Sequence, residues 1–297
     1  MHVPANVTQL DLKAIVYATD FSSYSQNAGN YASLLARKFN ADLLAAHAFV
    51  LTNPAMEAEA EAGPLVKSMQ RKELEAALAA AARRYGEGLR RAVPVLIEGD
   101  PRELIPRLAK ENAPSLVVLG THGRGRIERG IVGSVAERIL RATSSPSLTV
   151  GPAVPACDPA RAPFRRILYA TGLSAADARG APYALAMAQA FDASLDVLHV
   201  VNPDDVRHPD RFSEIQRQFH ALLEEFVPQQ TDAIRNPHGI VEVGSAHVRI
   251  LEYLREFQVD LLALSFRKSS HLWLQSRLSG AFHIIAHAPC PVMTITG

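Results

Sequence analysis

The sequence predicts an α/β protein built from two tandem, doubly wound domains, each with a five-stranded parallel sheet. Three observations lead to this prediction: the 297-residue chain repeats itself, short apolar runs alternate with helical patterns, and a glycine-rich loop follows one apolar run. Strands that alternate with helices favour a parallel sheet covered by helices on both faces. The strands of such a sheet are buried on both sides and read as continuous apolar runs, as they do here.

The internal repeat sets the number of domains. The 34 residues that begin at Ile15 align without a gap with those that begin at Ile167, and 12 of the 34 are identical. A second pair of segments, ending at Val150 and at Ile295, aligns with a shift of 145 residues instead of 152. A repeat of this kind predicts two copies of one domain.

The boundary and the length difference between the copies follow from this alignment. The seven extra residues belong to the middle of the first half, where the acidic stretch of small residues at 53–64 predicts a flexible insert. The proline-rich stretch at 151–164 has little periodicity and predicts a linker. We therefore place the domains at 1–151 and 152–297.

The elements of the first half are predicted from hydrophobic period. Apolar runs predict five strands, at AIVYAT from Ala14, ADLLAAHAF from Ala41, AVPVLIEGD from Ala92, PSLVVLG from Pro114 and PSLTV from Pro146. Helices are expected at 25–39, 65–85, 101–112 and 134–143.

The stretch GTHGRGRIERGIVGS, from Gly120 to Ser134, follows the fourth strand. Ligands of such sheets bind beyond the carboxyl ends of the strands. Backbone amides in a glycine-rich loop that leads into a helix N-terminus form a natural phosphate cradle. The loop has no Gly-Lys pair, as a P-loop requires, and Glu128 stands where the dinucleotide fingerprint needs glycine. From the residues alone, an anion-binding loop and a plain surface loop both remain open.

The spacing G-x2-G-x9-G-[ST] of Gly120, Gly123, Gly133 and Ser134 resembles the ATP-binding signature of the universal stress protein family. The surrounding segments VYATDFS, GDP, GTHGR and GSVAERIL resemble that family too, and the repeat extends the resemblance over nearly the whole chain. The resemblance implies a tandem member of the family with a Rossmann-like, doubly wound fold in each half. In the family the last strands pair between subunits, so here PSLTV and PVMTITG are expected to pair within one chain and to form an intrachain pseudo-dimer. It also implies ATP as the ligand, with or without Mg²⁺.

By the same resemblance, Asp20 contacts the ribose or adenine, Ala48 offers its backbone to adenine, and the motif glycines and Ser134 hold ribose and phosphates. The complete set of implied nucleotide-binding residues is Thr19, Asp20, Ala48, Gly120, Gly123, Arg124, Gly133 and Ser134. No catalytic residue and no metal ligand are assigned. The alternative for Asp20 is a helix cap, a role that Ser22 could also fill.

The second half departs from the motif. Gly172 stands at the position of Asp20, and only Ser279 keeps its counterpart, Ser134. The replaced glycines are Gly120 by Ser265, Gly123 by Lys268 and Gly133 by Leu278. A loop without glycine resists the positive φ angles of a backbone nest. We therefore predict one nucleotide site per chain, in the first half.

Composition limits the remaining function classes. The net charge of +1 gives no general case for nucleic acid, and no apolar run approaches the length of a membrane span. Only two cysteines are present and no secretory pattern is evident, so a cytoplasmic location is expected. His283, His287 and Cys290 have a metal-like spacing, but they lie in what resembles an ordinary family segment. His47 and His199 are expected to be structural, hydrogen-bonded at a sheet edge.

The sequence thus favours a nucleotide-responsive stress regulator that forms a homodimer of tandem chains and acts through a protein partner that the sequence does not identify. Two alternatives remain. One is a ligand-free interaction scaffold of the same fold, favoured by the degenerate second half. The other is a slow ATP hydrolase, although no nucleophile or general base can be argued from the spacing.

Overall fold

The computed structural model of the chain describes residues 10–49, 63–121, 131–157, 164–174, 177–226, 237–266 and 275–296. Most of the predicted insert lies outside these residues. So do Gly123 and Arg124 of the predicted site and residues 267–274 of the corresponding second-half loop.

The first half alternates strands and helices in the predicted order. Its elements are β1 Ala14–Ala18, α1 Ser23–Phe39, β2 Asp42–Phe49, α2 Gly63–Gly86, β3 Ala92–Glu98, α3 Pro101–Glu111, β4 Ser115–Gly120, α4 Ser134–Ala142 and β5 Ser147–Val150. All five predicted strands and all four predicted helices are present in this half.

The second half repeats the pattern. Its elements are β6 Arg166–Thr171, a 3₁₀ helix Asp177–Gly180, α5 Ala181–Phe191, β7 Ser194–Val201, α6 Pro203–Val206, α7 Pro209–Phe226, β8 His238–Val243, α8 Ala246–Glu256, β9 Leu261–Phe266, α9 Gln275–His287 and β10 Val292–Thr296. None of the helices in the described ranges combines the length and the apolar character that a bilayer crossing needs.

The ten strands form one sheet in the order β3-β2-β1-β4-β5-β10-β9-β6-β7-β8. The described strands of each half pair in parallel, and the order reverses direction beside β1 and beside β6. β5 and β10 pair antiparallel, with Leu148 opposite Met293, and join the two halves. The Thr149 hydroxyl also donates to the carbonyl of Val292, at 3.1 Å. The predicted intrachain pseudo-dimer is confirmed.

Side chains on the two faces of this sheet form two cores. One core packs α1, α2, α5 and α7 against residues such as Ile15 and Tyr17. The other packs α3, α4, α8 and α9 against residues such as Val16. Because consecutive side chains of a strand point to opposite faces, each apolar run fills both cores, and the fold is doubly wound as predicted.

The described part of the linker packs on α1 instead of standing free. The Asn27 side-chain amide donates to the carbonyls of Val154, at 3.2 Å, and Pro155, at 3.0 Å. Its oxygen accepts from the backbone N–H of Cys157, at 3.0 Å. Phe164, at the end of the linker, is buried between the halves, where its ring contacts those of Tyr31 and Phe191.

Candidate binding site

A crevice is positioned where β1 and β4 end side by side. Ala18 of β1 lies opposite Leu119 of β4 in the parallel register. The chain then turns into α1 after β1, and α4 begins near the end of β4. This is the point at which the strand order reverses, where parallel sheets of this type bind ligands.

The turn after β1 is held by its own side chains. Asp20 Oδ1 accepts hydrogen bonds from the Ser22 backbone N–H, at 3.0 Å, and from the Ser22 hydroxyl, at 2.6 Å. Ser22 is the N-cap of α1, and its Oγ accepts from the N–H of Ser25 at 3.3 Å. Thr19 Oγ1 accepts from the N–H of Phe21, which has a left-handed φ of 63°. Asp20 therefore does not cap the helix itself, but it orients the residue that does.

Two further side chains fix this turn from the sheet. The Tyr17 hydroxyl donates to the carbonyl of Ser25 at 2.7 Å. Burial raises the pKa of Tyr17, so the phenol remains a donor at neutral pH. His47 Nδ1 lies 2.7 Å from the carbonyl oxygen of Thr19. Since Ala48 follows His47 on β2, the backbone predicted to face adenine lies at the same end of the sheet.

Gly120 ends β4 directly against the first turn of α1. A Cβ at this position would lie 3.3 Å from the carbonyl carbon and oxygen of Tyr24 and 3.4 Å from the nitrogen of Ser25. Gly120 is not among the described glycines with positive φ, and Gly133 has a φ of −59°. Neither glycine therefore has left-handed backbone, and positive φ is not the reason for glycine at these two positions. Gly120 is needed for close approach.

Gly133 and Ser134 form the start of α4. The N–H of Gly133 donates to the carbonyl of Thr121 at 2.8 Å, which brings the helix start to the end of β4. Gly133 occupies the N-cap position and makes no side-chain capping bond, while Ser134 is exposed. The first N–H groups of a helix and its positive dipole end favour an anion there.

The structure thus brings six of the eight predicted site residues to one end of the first-half sheet. They are Thr19, Asp20, Ala48, Gly120, Gly133 and Ser134. The Thr19 hydroxyl already shares a hydrogen bond of 3.0 Å with Ser25 Oγ. Sequence reasoning missed the supporting role of Tyr17 and the way Ser22 depends on Asp20. Tyr17 and Ser22 recur at the aligned positions Tyr169 and Ser174, and this recurrence in the repeat could have indicated their structural roles.

The second half keeps the supporting contacts. His199 Nδ1 lies 2.8 Å from the Thr171 carbonyl, as His47 does from Thr19. The predicted structural hydrogen bonds of the two histidines are present. Their strands are interior, however, because β3 and β8 form the edges of the sheet. Burial lowers the pKa of His199 and so favours its neutral form.

The histidines and the cysteine near the end of the chain do not share ligand geometry. The rings of His283 and His287 lie 4.1 Å apart between centroids with an interplanar angle of 31°, and His247 lies 5.2 Å from His283. Cys290 is buried, and burial raises the pKa of its thiol to about 12. Within the described ranges, no group of three or more His, Cys, Asp and Glu residues is placed to hold a metal ion.

Comparison with known proteins identifies the fold and the repeat. The profile of the Universal stress protein family matches residues 12–151 and again residues 163–296. The universal stress protein MJ0531 of Methanocaldococcus jannaschii is 31% identical over 139 residues, which cover 46% of this chain and 81% of that protein.

Two solved structures are similar over nearly the full length. A universal stress protein from Archaeoglobus fulgidus has a TM-score of 0.71 at 19% identity and covers 96% of this chain and 98% of its own. A putative universal stress protein from Pseudomonas aeruginosa has a TM-score of 0.63 at 15% identity and covers 98% of this chain and 95% of its own. The family profile matches twice, once on each five-stranded half of the ten-stranded sheet. The chain belongs to the universal stress protein family and carries two of its domains in tandem.

Proposed function

We propose that this protein is a nucleotide-responsive stress regulator that binds one ATP, with or without Mg²⁺, in its first half. The observation that carries the proposal is the meeting of the motif segments at the ends of β1 and β4. Gly120 packs against the first turn of α1, and Gly133 starts α4 from a hydrogen bond to Thr121. The glycine-rich loop at 121–132 connects these two points.

Each segment has a distinct contact to offer an adenine nucleotide. The Asp20 carboxylate, oriented by its bonds to Ser22, accepts hydroxyl hydrogen bonds from ribose. The backbone of Ala48 accepts or donates at the adenine edge. The N–H groups at the start of α4 bind phosphate oxygens, with the helix dipole in the favourable direction. Gly123 and Arg124 complete the phosphate contacts in this proposal.

The second half is the proposed reporter of nucleotide binding. We place the domain boundary between residues 151 and 152. Helix α4 begins at the proposed phosphate site, and near its end the Arg141 guanidinium lies 4.8 Å from the Phe282 ring centroid of α9. A ligand that orders the start of α4 is therefore coupled to the second half. Two tandem chains then associate as a homodimer in the cytoplasm and present the change to a protein partner.

The experiment is the adenine nucleotide content of the purified protein after denaturation, separated by chromatography. The test variant is Gly123→Leu, and the matched control is Lys268→Leu at the aligned position of the second half. We expect about one adenine nucleotide per wild-type chain and per control chain, and much less in Gly123→Leu. A protein that is purified empty and that ignores added ATP would reject the proposal.

The second candidate function is a ligand-free interaction scaffold. It is favoured by the second half, where the Ser265 hydroxyl donates to the Asp177 carbonyl at 3.1 Å, at the position where the first half has Gly120. The third candidate is a slow ATP hydrolase. Turnover of labelled ATP well above the buffer rate, lost in Asp20→Asn, would favour hydrolysis over simple binding.

A further inference from the structure

Strand β8 is one of the two outer strands of the sheet, and its backbone is available on one side. The N–H of Gly244 donates to the carbonyl of Val201 on β7, at 3.0 Å. Backbone groups alternate in direction along a strand, so the N–H and C=O groups of Gly239, Val241 and Val243 point away from β7. A row of outward backbone groups is a template on which a further strand can pair.

The other outer strand, β3, is protected against such pairing, whereas β8 is not. Pro94 of β3 aligns with Gly239, and its position faces outward because the N–H of Gly99 donates towards β2. A proline on the outer side of an edge strand removes a donor that a further strand would need. Residues 238–243 contain neither proline nor lysine, and the side chains of Val241 and Val243 are exposed.

The sequence of β8 is complementary to itself in one antiparallel register. With Ile240 opposite the partner's Ile240, the Glu242 carboxylate lies opposite the partner's His238, and the same pair forms a second time by symmetry. Side chains at these positions are the closer of the two kinds of antiparallel pair. A register centred on Val241 instead places Glu242 opposite Ile240 and loses both pairs. The charges therefore favour the first register.

The same register satisfies the outward backbone groups. Gly239 and Val241 exchange N–H···O=C bonds with Val241 and Gly239 of the partner subunit, and each valine lies beside a residue without a side chain. The N–H of Val243 meets the carbonyl of the partner's Pro237, which has no N–H to return. Arg249 supplies the missing donor, because its Nε donates to the Val243 carbonyl at 3.1 Å.

We propose that a second copy of this chain docks on β8, antiparallel and centred on Ile240, so that the two ten-stranded sheets become continuous. The interface is two-fold symmetric and uses the same residues of both copies. This inference rests on the homodimer in the proposed function, but it does not depend on the nucleotide. It leaves β5 and β10 to join the two halves within each chain.

The register is tested with single cysteines in the full chain, oxidised by diamide and separated on a non-reducing gel. Ile240→Cys places two cysteines in a closely spaced pair, with Cα atoms about 4.5 Å apart, which a disulfide can span. Val243→Cys is the matched control, because in this register its two copies lie about 20 Å apart. The native Cys157 and Cys290 are buried. We expect most Ile240→Cys chains to form linked dimers and few Val243→Cys chains to do so, although Val243 is the more exposed position.

The strength of the dimer is measured by sedimentation equilibrium. Val241→Pro removes an outward N–H from each copy and keeps the bonds between β7 and β8. We expect this variant to dimerise at least ~10-fold more weakly than wild type, because two hydrogen bonds of the interface are lost. Glu98→Pro removes an outward N–H from an exposed residue of β3 and should leave the dimer unchanged.

The outcomes separate this inference from nucleotide binding. Ile240→Cys protein that forms linked dimers while wild type ignores ATP supports the interface and rejects only the nucleotide proposal. Wild-type protein that stays monomeric at every concentration rejects the homodimer and this inference with it. A dimer in which Val243→Cys links as readily as Ile240→Cys, or which Val241→Pro leaves intact, overturns this inference alone.

Discussion

The two halves keep the same supporting contacts at the ends of β1 and β6, and they differ in the first helix that follows and in the residues at the strand ends. Both keep a tyrosine that donates to the helix start, a serine cap, a left-handed residue after the strand and a histidine on the neighbouring strand. The aligned pairs are Tyr17 and Tyr169, Ser22 and Ser174, Phe21 and Leu173, and His47 and His199. The residues that recur support the fold, whereas the residues that differ, such as Asp20 and Gly172 or Gly120 and Ser265, lie where a ligand would bind.

The junction between the halves should give the largest effect. Phe164 is fully buried, and its ring lies 6.1 Å from that of Tyr31 in the first half and 4.9 Å from that of Phe191 in the second. We expect Phe164→Ala to cost about 3–5 kcal/mol in the free energy of unfolding, because it leaves a cavity. Urea unfolding measures this cost. Phe257→Ala, at a partly exposed ring, is the control and should cost far less. A cost for Phe164→Ala below ~1 kcal/mol would mean that the halves are stabilised separately.

The next prediction concerns Asp177, whose carboxylate lies beside Gly172 in the second half. Gly172→Ala places a methyl group 2.8 Å from Asp177 Oδ2, which must leave its bonds to Ser174. We expect a cost of about 1–2 kcal/mol in unfolding free energy. Gly280→Ala is the matched control, because nothing lies within 4 Å of its added Cβ, and it should gain roughly 0.5–1 kcal/mol from helix propensity. Equal effects at the two glycines would contradict the assigned position of Asp177.

The pH dependence of the unfolding free energy should reveal the contribution of His199 in the second half. Burial lowers the pKa of His199, so the unfolded chain takes up a proton at a higher pH than the folded chain does. Stability is therefore present above pH ~6.5 and is lost as the pH falls through the lower folded pKa. Wild-type protein should lose more unfolding free energy between pH 7 and pH 5 than His199→Asn, whose amide can still donate to the Thr171 carbonyl. Parallel pH profiles would show that His199 does not contribute. Burial and the neighbouring His287 and His247 also lower the pKa of His283. Because His283 is present in both proteins, its contribution cancels in the comparison.

The smallest effect is expected at the contact between α4 and α9. The exposed Arg141 lies over the Phe282 ring and pairs with Glu137 at 2.7 Å. Arg141→Ala should cost about 0.5–1 kcal/mol in urea unfolding. Glu137→Gln separates the two contributions, because it removes the ion pair and keeps the ring contact. If both variants cost the same, the contact between the halves carries no energy of its own.

The hydrophobic period and the internal repeat were sufficient to predict two α/β domains and their order of strands and helices. They predicted each first-half strand, and the family resemblance implied the pairing of the last strands, β5 and β10, within the chain. The doubly wound topology was also needed to bring Asp20 and Gly120 to one end of the sheet, because it places the first and fourth strands side by side at the switch point. The strands depend on local pattern, whereas the adjacency of β1 and β4 depends on the topology of the whole domain.

The sequence could not reveal the hydrogen bond that joins Ser265 of β9 to the helix start in the second half. Ser265 and Asp177 are 88 residues apart, and their contact depends on how a 3₁₀ helix packs on β9. An alignment places Gly172 opposite Asp20. It does not show that Asp177, five residues later, accepts the hydrogen bonds of Ser174 as Asp20 accepts those of Ser22. The close approach of Gly120 to the backbone of Tyr24 likewise depends on how α1 packs on β4 and has no signal in the sequence.

Photoaffinity labelling tests the central claim, that one half binds the nucleotide and the other does not. The full chain is labelled with an azido-adenine nucleotide, with and without excess ATP as competitor, and the labelled peptides are mapped. We predict label that ATP displaces on peptides from residues 1–151, beside Asp20, Ala48 or the loop after Gly120, and none on 152–297. Displaceable label on the second half, or on neither half, would contradict this account.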